Sequence, residues 1–234
     1  MQTIELGTKR VHIFLPERRA RLRLWTHMAP DEAQLLFDAA GGAAAVFAAD
    51  GHDWNADLSP WPAPACFKGG EAFAGRGPEH LRWLAQAVEA AERAADMPQD
   101  APRALLGYSL AGLFALWAAL ETPLFDAAAS VSGSLWYDGF EEYLRAHADR
   151  FSGRAFYFSL GDKEARTRNA RLAPVQERTQ AACALATSCG ARALFELNPG
   201  NHFQDPAGRC ARAVKWLLPE RSTQKEPAKK GGTS

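Results

Sequence analysis

Short apolar runs alternate along the chain with longer stretches in which apolar residues recur at helical spacing. This alternation is typical of βαβ units, which build a mostly parallel sheet with helices on both faces. The apolar runs predict buried strands at residues 43–49, 103–107, 127–131, 155–160 and 193–197. The helical spacing predicts helices at residues 31–39, 79–95, 110–120, 137–147, 169–186 and 206–218.

The N-terminal segment has a different pattern. Residues 8–15 and 20–25 both look like strands, and Val11, Ile13 and Leu15 alternate with His12 and Phe14 in the first of them. A short connection separates the two segments. We expect them to pair with each other as an antiparallel edge of the sheet.

A long stretch at residues 52–77 is rich in proline, glycine and aromatic side chains. A loop of this length in a compact domain is usually functional or disordered, and its aromatic content favours packing. We expect it to form a wall beside a ligand site.

Length and composition indicate one folded domain. The chain has 234 residues, of which 47% are hydrophobic and 23% charged, as in ordinary globular proteins. We expect one α/β domain at residues 1–220 and a disordered basic tail at residues 221–234.

The charge balance narrows the class of partner. Twenty-seven basic residues match twenty-seven acidic ones, so no general attraction to nucleic acid or to a membrane surface is expected. No apolar run is long enough to span a bilayer, and the N-terminus lacks the pattern of a signal peptide. We therefore expect a cytoplasmic protein, and the sequence leaves its oligomeric state open.

A serine lies where a predicted strand meets a predicted helix, in the segment Gly107-Tyr108-Ser109-Leu110-Ala111-Gly112. Small residues two positions before and after Ser109 are what a nucleophile elbow requires, because strand and helix approach closely around the strained turn. The simpler alternative is that Ser109 only caps the helix that follows. A nucleophilic serine also needs a histidine base, and that base needs an acid.

Candidates for both partners follow Ser109 in the chain. His202 lies between the last predicted strand and the last helix, and Asp162 and Glu164 follow the strand at 155–160. The order serine, acid, histidine is that of α/β-hydrolases. Glu164 is the preferred acid because of its longer reach, and Asp162 is the alternative.

An oxyanion hole would complete such a site. The backbone N–H of Leu110, directly after the serine, is the expected first donor. We expect the second donor in the loop after the strand at 43–49, at Gly51 or His52, although a plain turn there explains the same residues.

Taken together, these segments resemble the enterochelin-esterase-like and S-formylglutathione-hydrolase-like esterases of the α/β-hydrolase superfamily. The resemblance rests on residues 53–62, 107–116, 130–136, 161–164 and 198–203, and covers nearly the whole predicted domain. It implies an α/β-hydrolase fold, with Ser109 as nucleophile, His202 as base and Glu164 as acid. It also implies that Trp54, Trp61 and Trp136 surround the substrate pocket.

The predicted function is that of a serine carboxylic-ester hydrolase, which acts through an acyl-enzyme on a small to medium small-molecule ester. No metal or organic cofactor is implied. The same triad could instead transfer the acyl group to another alcohol, and a non-catalytic hydrolase-fold binding module is a further alternative. The sequence does not identify the ester.

Overall fold

A computed structural model describes residues 1–219, and the predicted tail at residues 221–234 lies outside them. The strands of the described part are β1 (Gln2–Leu6), β2 (Lys9–Phe14), β3 (Leu22–Thr26), β4 (Ala44–Asp50), β5 (Pro62–Ala63), β6 (Phe73–Ala74), β7 (Arg103–Tyr108), β8 (Ala127–Val131), β9 (Ala155–Gly161) and β10 (Arg192–Asn198). The α-helices are α1 (Pro30–Ala39), α2 (Trp54–Asp57), α3 (Gly77–Ala94), α4 (Leu110–Glu121), α5 (Phe140–Ala146), α6 (Val175–Ser188) and α7 (Pro206–Leu217).

Eight of these strands form one sheet, in the order β1-β2-β4-β3-β7-β8-β9-β10. The six strands from β4 to β10 in this order are parallel to one another, whereas β1 is antiparallel to β2 and β2 is antiparallel to β4. The structure thus confirms the prediction of a mostly parallel α/β sheet with an antiparallel N-terminal edge.

Apolar side chains cover both faces of the sheet because residues alternate between faces along each strand. Trp25 and Phe47 pack on the face that carries α3, α4 and α6. Leu24 and Val46 pack on the opposite face, against α1 and α7. The α4 helix is buried over nearly its whole length, which fixes the position of its first turn.

The predicted pairing of residues 8–15 with residues 20–25 is wrong. β2 pairs with β1 and β4, and β3 lies on the other side of β4, parallel to β4 and β7. All five residues of β3 are buried, as expected of a central strand covered on both faces. The antiparallel edge is instead the hairpin of β1 and β2.

The stretch at residues 52–77 is more ordered than a simple loop. It contains α2 and a small hairpin in which Ala63 of β5 pairs with Phe73 of β6. The helix predicted to begin at residue 169 begins at Val175, directly after Pro174, because residues 169–174 form turns. No helix within residues 1–219 is long and apolar enough to cross a bilayer.

Candidate active site

Polar side chains follow the carboxyl ends of four neighbouring strands. Ser109 follows β7, Ser132 follows β8, and Glu164 and His202 lie in the loops after β9 and β10. Because these strands are parallel and adjacent, their carboxyl ends meet at one edge of the sheet. Open α/β sheets bind their ligands at this edge.

Ser109 occupies a strained turn between β7 and α4. Its backbone angles are φ 59° and ψ −122°, and such a conformation costs a non-glycine residue on the order of 1–3 kcal/mol. A Cβ atom on Gly107 would lie 2.0 Å from the carbonyl oxygen of Ala111, so strand and helix leave no room for a side chain there. The Ser109 hydroxyl does not cap α4. The turn therefore has the geometry of a nucleophile elbow.

The Ser109 hydroxyl is the first of three side chains joined by hydrogen bonds. Its Oγ lies 3.0 Å from Nε2 of His202, and Nδ1 of His202 lies 2.7 Å from Oε2 of Glu164. An ionised carboxylate only accepts hydrogen bonds, so His202 donates through Nδ1 and Nε2 is left to accept from the serine. The structure thus brings together the predicted serine, the predicted histidine and the preferred acid.

Glu164 is almost buried, with 5% of its side chain exposed. Burial acts to raise the pKa of Glu164, but hydrogen bonds from His202 and from the Gly161 N–H outweigh it, and the pKa lies below its ordinary value. The Gly161 N–H donates to Oε1 at 2.7 Å. Glu164 is therefore charged at neutral pH and can accept the hydrogen bond from the neighbouring imidazole.

The alternative acid, Asp162, contacts the backbone of the loop that carries His202. Its Oδ1 accepts a hydrogen bond from the Gly200 N–H at 2.8 Å. Its own N–H donates to the carbonyl oxygen of Asn198 at 2.8 Å. The structure places Asp162 as a support for the histidine loop and places Glu164 on the imidazole.

Arg209, in the first turn of α7, also reaches this site, and the sequence analysis missed it. Its fully buried guanidinium contacts Glu164, with Nη1 2.7 Å from Oε1. A signal was present, because Arg209, Ala213 and Leu217 follow one another at four-residue spacing on the buried face of the helix. A charged residue on an apolar helical face calls for a buried partner.

A cavity of about 360 Å³ opens beside these side chains. Besides Ser109, Leu110, Glu164 and His202, it is lined by the aromatic side chains of Trp54, Phe67, Phe73, Trp136 and Phe203. The stretch at residues 52–77 supplies three of these rings, which confirms that it walls the cavity. Its Cys66 also lines the cavity, and burial raises the pKa of this thiol.

The prediction that Trp61 surrounds the pocket is wrong. Its indole N–H donates to the carbonyl oxygen of Asp138 at 2.9 Å, and its ring packs against Tyr137, Phe140 and Tyr143. Trp61 therefore anchors the proline-rich segment to the start of α5. Trp54 and Trp136 do line the cavity.

The expected second oxyanion donors, Gly51 and His52, do not line this cavity. The Gly51 N–H is taken by the Asp50 carboxylate at 2.7 Å, and Gly51 packs tightly on the backbone of Thr8 and Lys9. His52 lines a neighbouring pocket together with His27 and Tyr108.

The strand order explains why Gly51 and His52 lie away from Ser109. In α/β-hydrolases the second donor comes from the loop between the third strand and the first helix. In this chain that loop is residues 27–29, because β3 lies directly beside β7. Residues 51–52 follow β4, which is one strand further from Ser109. Leu110, the expected first donor, lines the cavity.

His80 of α3 is fully buried in a polar cluster. Its Nδ1 accepts from Lys9 Nζ at 2.8 Å, and Lys9 also contacts Asp57 at 2.6 Å. His80 Nε2 lies 2.8 Å from Nε2 of His27, which is itself buried. Burial first, and then the nearby positive charges, lower the pKa of His80 to about 3 and that of His27 well below its ordinary value.

The fold and the family comparison define a member of the α/β-hydrolase superfamily. The family model described as "Putative esterase" matches residues 42–194, well over half of the chain, and the chain belongs to this family. The matched part includes Ser109 and Glu164, and His202 follows it.

Solved structures of several hydrolases have the same fold. An IroE-like serine hydrolase from Shewanella oneidensis superimposes with a TM-score of 0.73 at 17% identity, covering 93% of this chain and 79% of that one. The siderophore hydrolase EstA from Aspergillus nidulans gives 0.69 at 17% identity, covering 90% and 89%. The enterobactin esterase FES from Shigella flexneri gives 0.66 at 19% identity, covering 91% and 57%. At these identities the likeness shows the fold alone, and it confirms the predicted α/β-hydrolase fold.

A curated relative is similar over a shorter region. The uncharacterized protein YbbA of Bacillus subtilis is 28% identical over 115 residues, which are 47% of this chain and 45% of that protein. The match therefore spans less than half the length of the relative.

Proposed function

We propose that this chain hydrolyses carboxylic esters through a covalent acyl-enzyme on Ser109. The observation that carries the proposal is the hydrogen-bonded series from Glu164 through His202 to Ser109, with distances of 2.7 and 3.0 Å. Ser109 lies in the strained turn between β7 and α4, at the wall of the aromatic cavity.

In the first half-reaction His202 acts as general base. Its Nε2 takes the Ser109 proton while Oγ attacks the carbonyl carbon of the ester, and Glu164 stabilises the imidazolium that forms. The protonated His202 then gives this proton to the departing alcohol oxygen as the tetrahedral intermediate collapses. The acyl group is left on Ser109.

In the second half-reaction His202 activates a water molecule, which attacks the acyl carbonyl and releases the carboxylic acid. The negative charge that develops on the carbonyl oxygen in both steps needs donors held in place beforehand, and one such donor is worth about 2.7–4 kcal/mol in other hydrolases. The N–H of Leu110 at the first turn of α4 is one donor in this proposal, and the loop at residues 27–29 supplies the second.

The cavity of about 360 Å³ supports a small to medium ester as the substrate. Its aromatic lining suits an apolar acyl group. A siderophore hydrolase and an enterobactin esterase are among the structures with this fold. A substrate screen therefore includes siderophore trilactones beside sugar esters and acyl esters of graded chain length.

Steady-state hydrolysis by matched serine variants tests the proposal. Ser109→Ala and His202→Ala should each remove turnover and leave the fold intact, because the members of such a triad act as a unit. Ser188→Ala, at an exposed serine of α6, is the control and should keep full activity.

Adding an alcohol to the assay separates hydrolysis from acyl transfer. A hydrolase forms mainly the free acid, whereas an acyltransferase forms mainly the new ester. Turnover that survives in Ser109→Ala would overturn the proposed mechanism. Absence of turnover over the whole screen, with an unreactive Ser109, would favour a binding module.

A further inference from the structure

Arg209 connects the candidate acid to the loops around it. It is the fourth residue of α7, and its side chain has no exposed surface. A buried guanidinium is costly unless every charged and polar neighbour is well placed. Its contacts therefore carry information about the site.

All four N–H groups on the two terminal nitrogens of Arg209 have acceptors. Nη1 donates to Glu164 Oε1 at 2.7 Å and to Ser132 Oγ at 2.9 Å. Nη2 donates to the carbonyl oxygens of Pro199 at 3.1 Å and Asn201 at 2.9 Å. One planar group thus spans the loops that follow β8, β9 and β10.

The contact with Glu164 determines which carboxylate oxygen faces the imidazole. Oε1 accepts from both Arg209 and the Gly161 N–H, each at 2.7 Å, whereas Oε2 contacts Nδ1 of His202. Without the guanidinium, Oε1 would keep a single neutral donor. The carboxylate could then rotate, and the imidazole would lose the fixed acceptor that sets its tautomer.

The contacts with the histidine loop are less critical, because other hydrogen bonds hold that loop. Asp162 accepts from the Gly200 N–H, and the Gly200 carbonyl accepts from the Lys163 N–H at 3.1 Å. The Asn201 N–H donates to the side chain of Gln204 at 2.8 Å. None of these loop bonds involves Arg209. Without Arg209, in contrast, His202 is the one basic side chain within residues 1–219 that still contacts Glu164.

We propose that Arg209 is a positioning residue of the esterase, which acts through Glu164 to orient His202 and to balance the charge beside it. This proposal rests on the proposed function, because it presumes that His202 is the base. Arg209 lies outside the triad, and it contacts neither Ser109 nor the cavity.

The charges around His202 give the proposal a pH signature. The titratable groups in contact with His202 or with its acid are Tyr108 from β7, Glu164 from the loop after β9 and Arg209 from α7. Asp162, also from the loop after β9, contacts the Gly200 N–H instead. Arg209 is the only fixed cation in this set. Its loss leaves the Glu164 charge uncompensated, and the carboxylate then favours protonated His202 more strongly.

The experiment measures kcat and KM of Arg209→Met against pH, with p-nitrophenyl butyrate as substrate. We expect kcat to fall by about 10²-fold with KM nearly unchanged, because a mis-set base impairs the chemical step. We also expect the acid limb of the profile to move to higher pH by at least about 0.5 unit. Arg209→Lys keeps the charge and should keep the limb close to its original position.

Arg212→Met is the matched control. Arg212 lies on the same helix, but its ion pairs are with Glu196 and Asp205. Its substitution should leave both kcat and the pH profile unchanged. Unchanged kcat and profile in folded Arg209→Met would overturn the proposal.

If Arg209→Met does not fold, a comparison of the double variant with Glu164→Gln still tests the proposal. The pair Glu164→Gln with Arg209→Met removes both buried charges together, which is better tolerated than leaving one of them unpaired. If Arg209 acts through Glu164, adding Arg209→Met to Glu164→Gln should lower kcat by less than about threefold. A further loss above about tenfold would overturn the proposal.

Ser109→Ala separates this proposal from the proposed function. If that variant keeps its activity, the serine mechanism is wrong. If Ser109→Ala is inactive while folded Arg209→Met behaves like the unchanged enzyme, only the role of Arg209 is wrong.

Discussion

At the scale of single residues, two carboxylates two positions apart in the chain have different surroundings. Glu164 contacts the imidazole of His202, and Asp162 contacts the Gly200 N–H. The turn after β9 separates them, since the Glu164 N–H donates to the Gly161 carbonyl at 3.1 Å. Their side chains therefore point to different partners, although an extended strand would send them the same way.

Glu164→Gln should lower turnover by about 10⁴-fold, as when an acid-to-amide change fixes the wrong histidine tautomer in a serine protease. It should also lower stability, because it leaves the buried guanidinium of Arg209 without its carboxylate. Asp162→Asn should be mild, because the amide oxygen can still accept from the Gly200 N–H. Steady-state kinetics of the two variants, with thermal melts as the check on folding, make the comparison. The reverse ranking would move the acid to Asp162, and mild effects from both would leave a Ser109 and His202 dyad.

Single residues differed in how well the sequence could place them. Ser109, Glu164 and His202 follow apolar strands in a characteristic order, so their meeting could be predicted. The positions of Trp61 and Gly51 depend on which backbone groups are nearby in three dimensions, and spacing along the chain does not show this. Arg209 escaped notice because an arginine in an amphipathic helix is usually solvated.

At the scale of elements, the approach of β7 to α4 controls the serine turn. The Gly107 position tolerates no Cβ, since that atom would lie 2.0 Å from the Ala111 carbonyl oxygen. Ser109 is further tied to β8, because its N–H donates to the Val131 carbonyl at 3.1 Å. The elbow is therefore fixed by backbone contacts on both sides.

Gly107→Ala should destabilise the protein by about 3 kcal/mol or more and remove activity, because strand and helix must separate to admit a methyl group. Gly153→Ala is the control: its φ is +73° but no atom lies within 4 Å of the added Cβ. There we expect a loss of about 1 kcal/mol from backbone strain alone, with activity kept. Urea unfolding measures both, and equal losses would show that space at the elbow is not the determining factor.

The elements could be predicted where the apolar pattern was long, and their pairing could not. The strands that carry the site residues lie close to their predicted bounds. The pattern predicts β3 as part of the edge because another strand, β2, directly precedes it in the chain, whereas in the sheet β4 lies between β2 and β3. Such crossovers depend on long-range packing, which a local pattern does not record.

At the scale of the whole molecule, a buried polar cluster links distant parts of the chain. Lys9 of β2, Asp57 of α2, His80 of α3 and His27 after β3 form one series of contacts. Lys9 donates to Nδ1 of His80, so His80 must carry its proton on Nε2 and donate to His27. Both imidazoles are therefore neutral in the folded protein.

This cluster should make the fold sensitive to mild acid. The pKa of His80 is lowered to about 3 and that of His27 lies well below its ordinary value, both chiefly through burial. In the unfolded chain each histidine binds a proton near pH 6.5, so below that pH the unfolded state binds more protons. Stability is therefore full above about pH 6.5 and falls towards lower pH, by up to about 1.4 kcal/mol per pH unit for each histidine.

Urea unfolding between about pH 7 and pH 5 checks this prediction, since the carboxylates with lowered pKa titrate below that window. His80→Gln should reduce the slope of stability against pH, because one of the two histidines of the cluster is gone, while His27 and His52, whose pKa values are also lowered by burial, still contribute. His147→Gln, which changes a histidine outside the cluster, is the control. An unchanged slope in His80→Gln would show that the cluster does not control acid stability.

The proposed function requires Ser109 to be an activated nucleophile, and covalent labelling tests this requirement most directly. Only a serine with a base beside it reacts readily with a fluorophosphonate. The measurement is the intact mass of the protein after brief exposure to the reagent, with the modified peptide identified and hydrolysis assayed on the same sample. We expect one adduct per chain, on Ser109, with complete loss of hydrolysis and no adduct in Ser109→Ala or His202→Ala. Hydrolysis that persists in the fully labelled protein, or an adduct on another residue that accounts for its loss, would contradict this expectation.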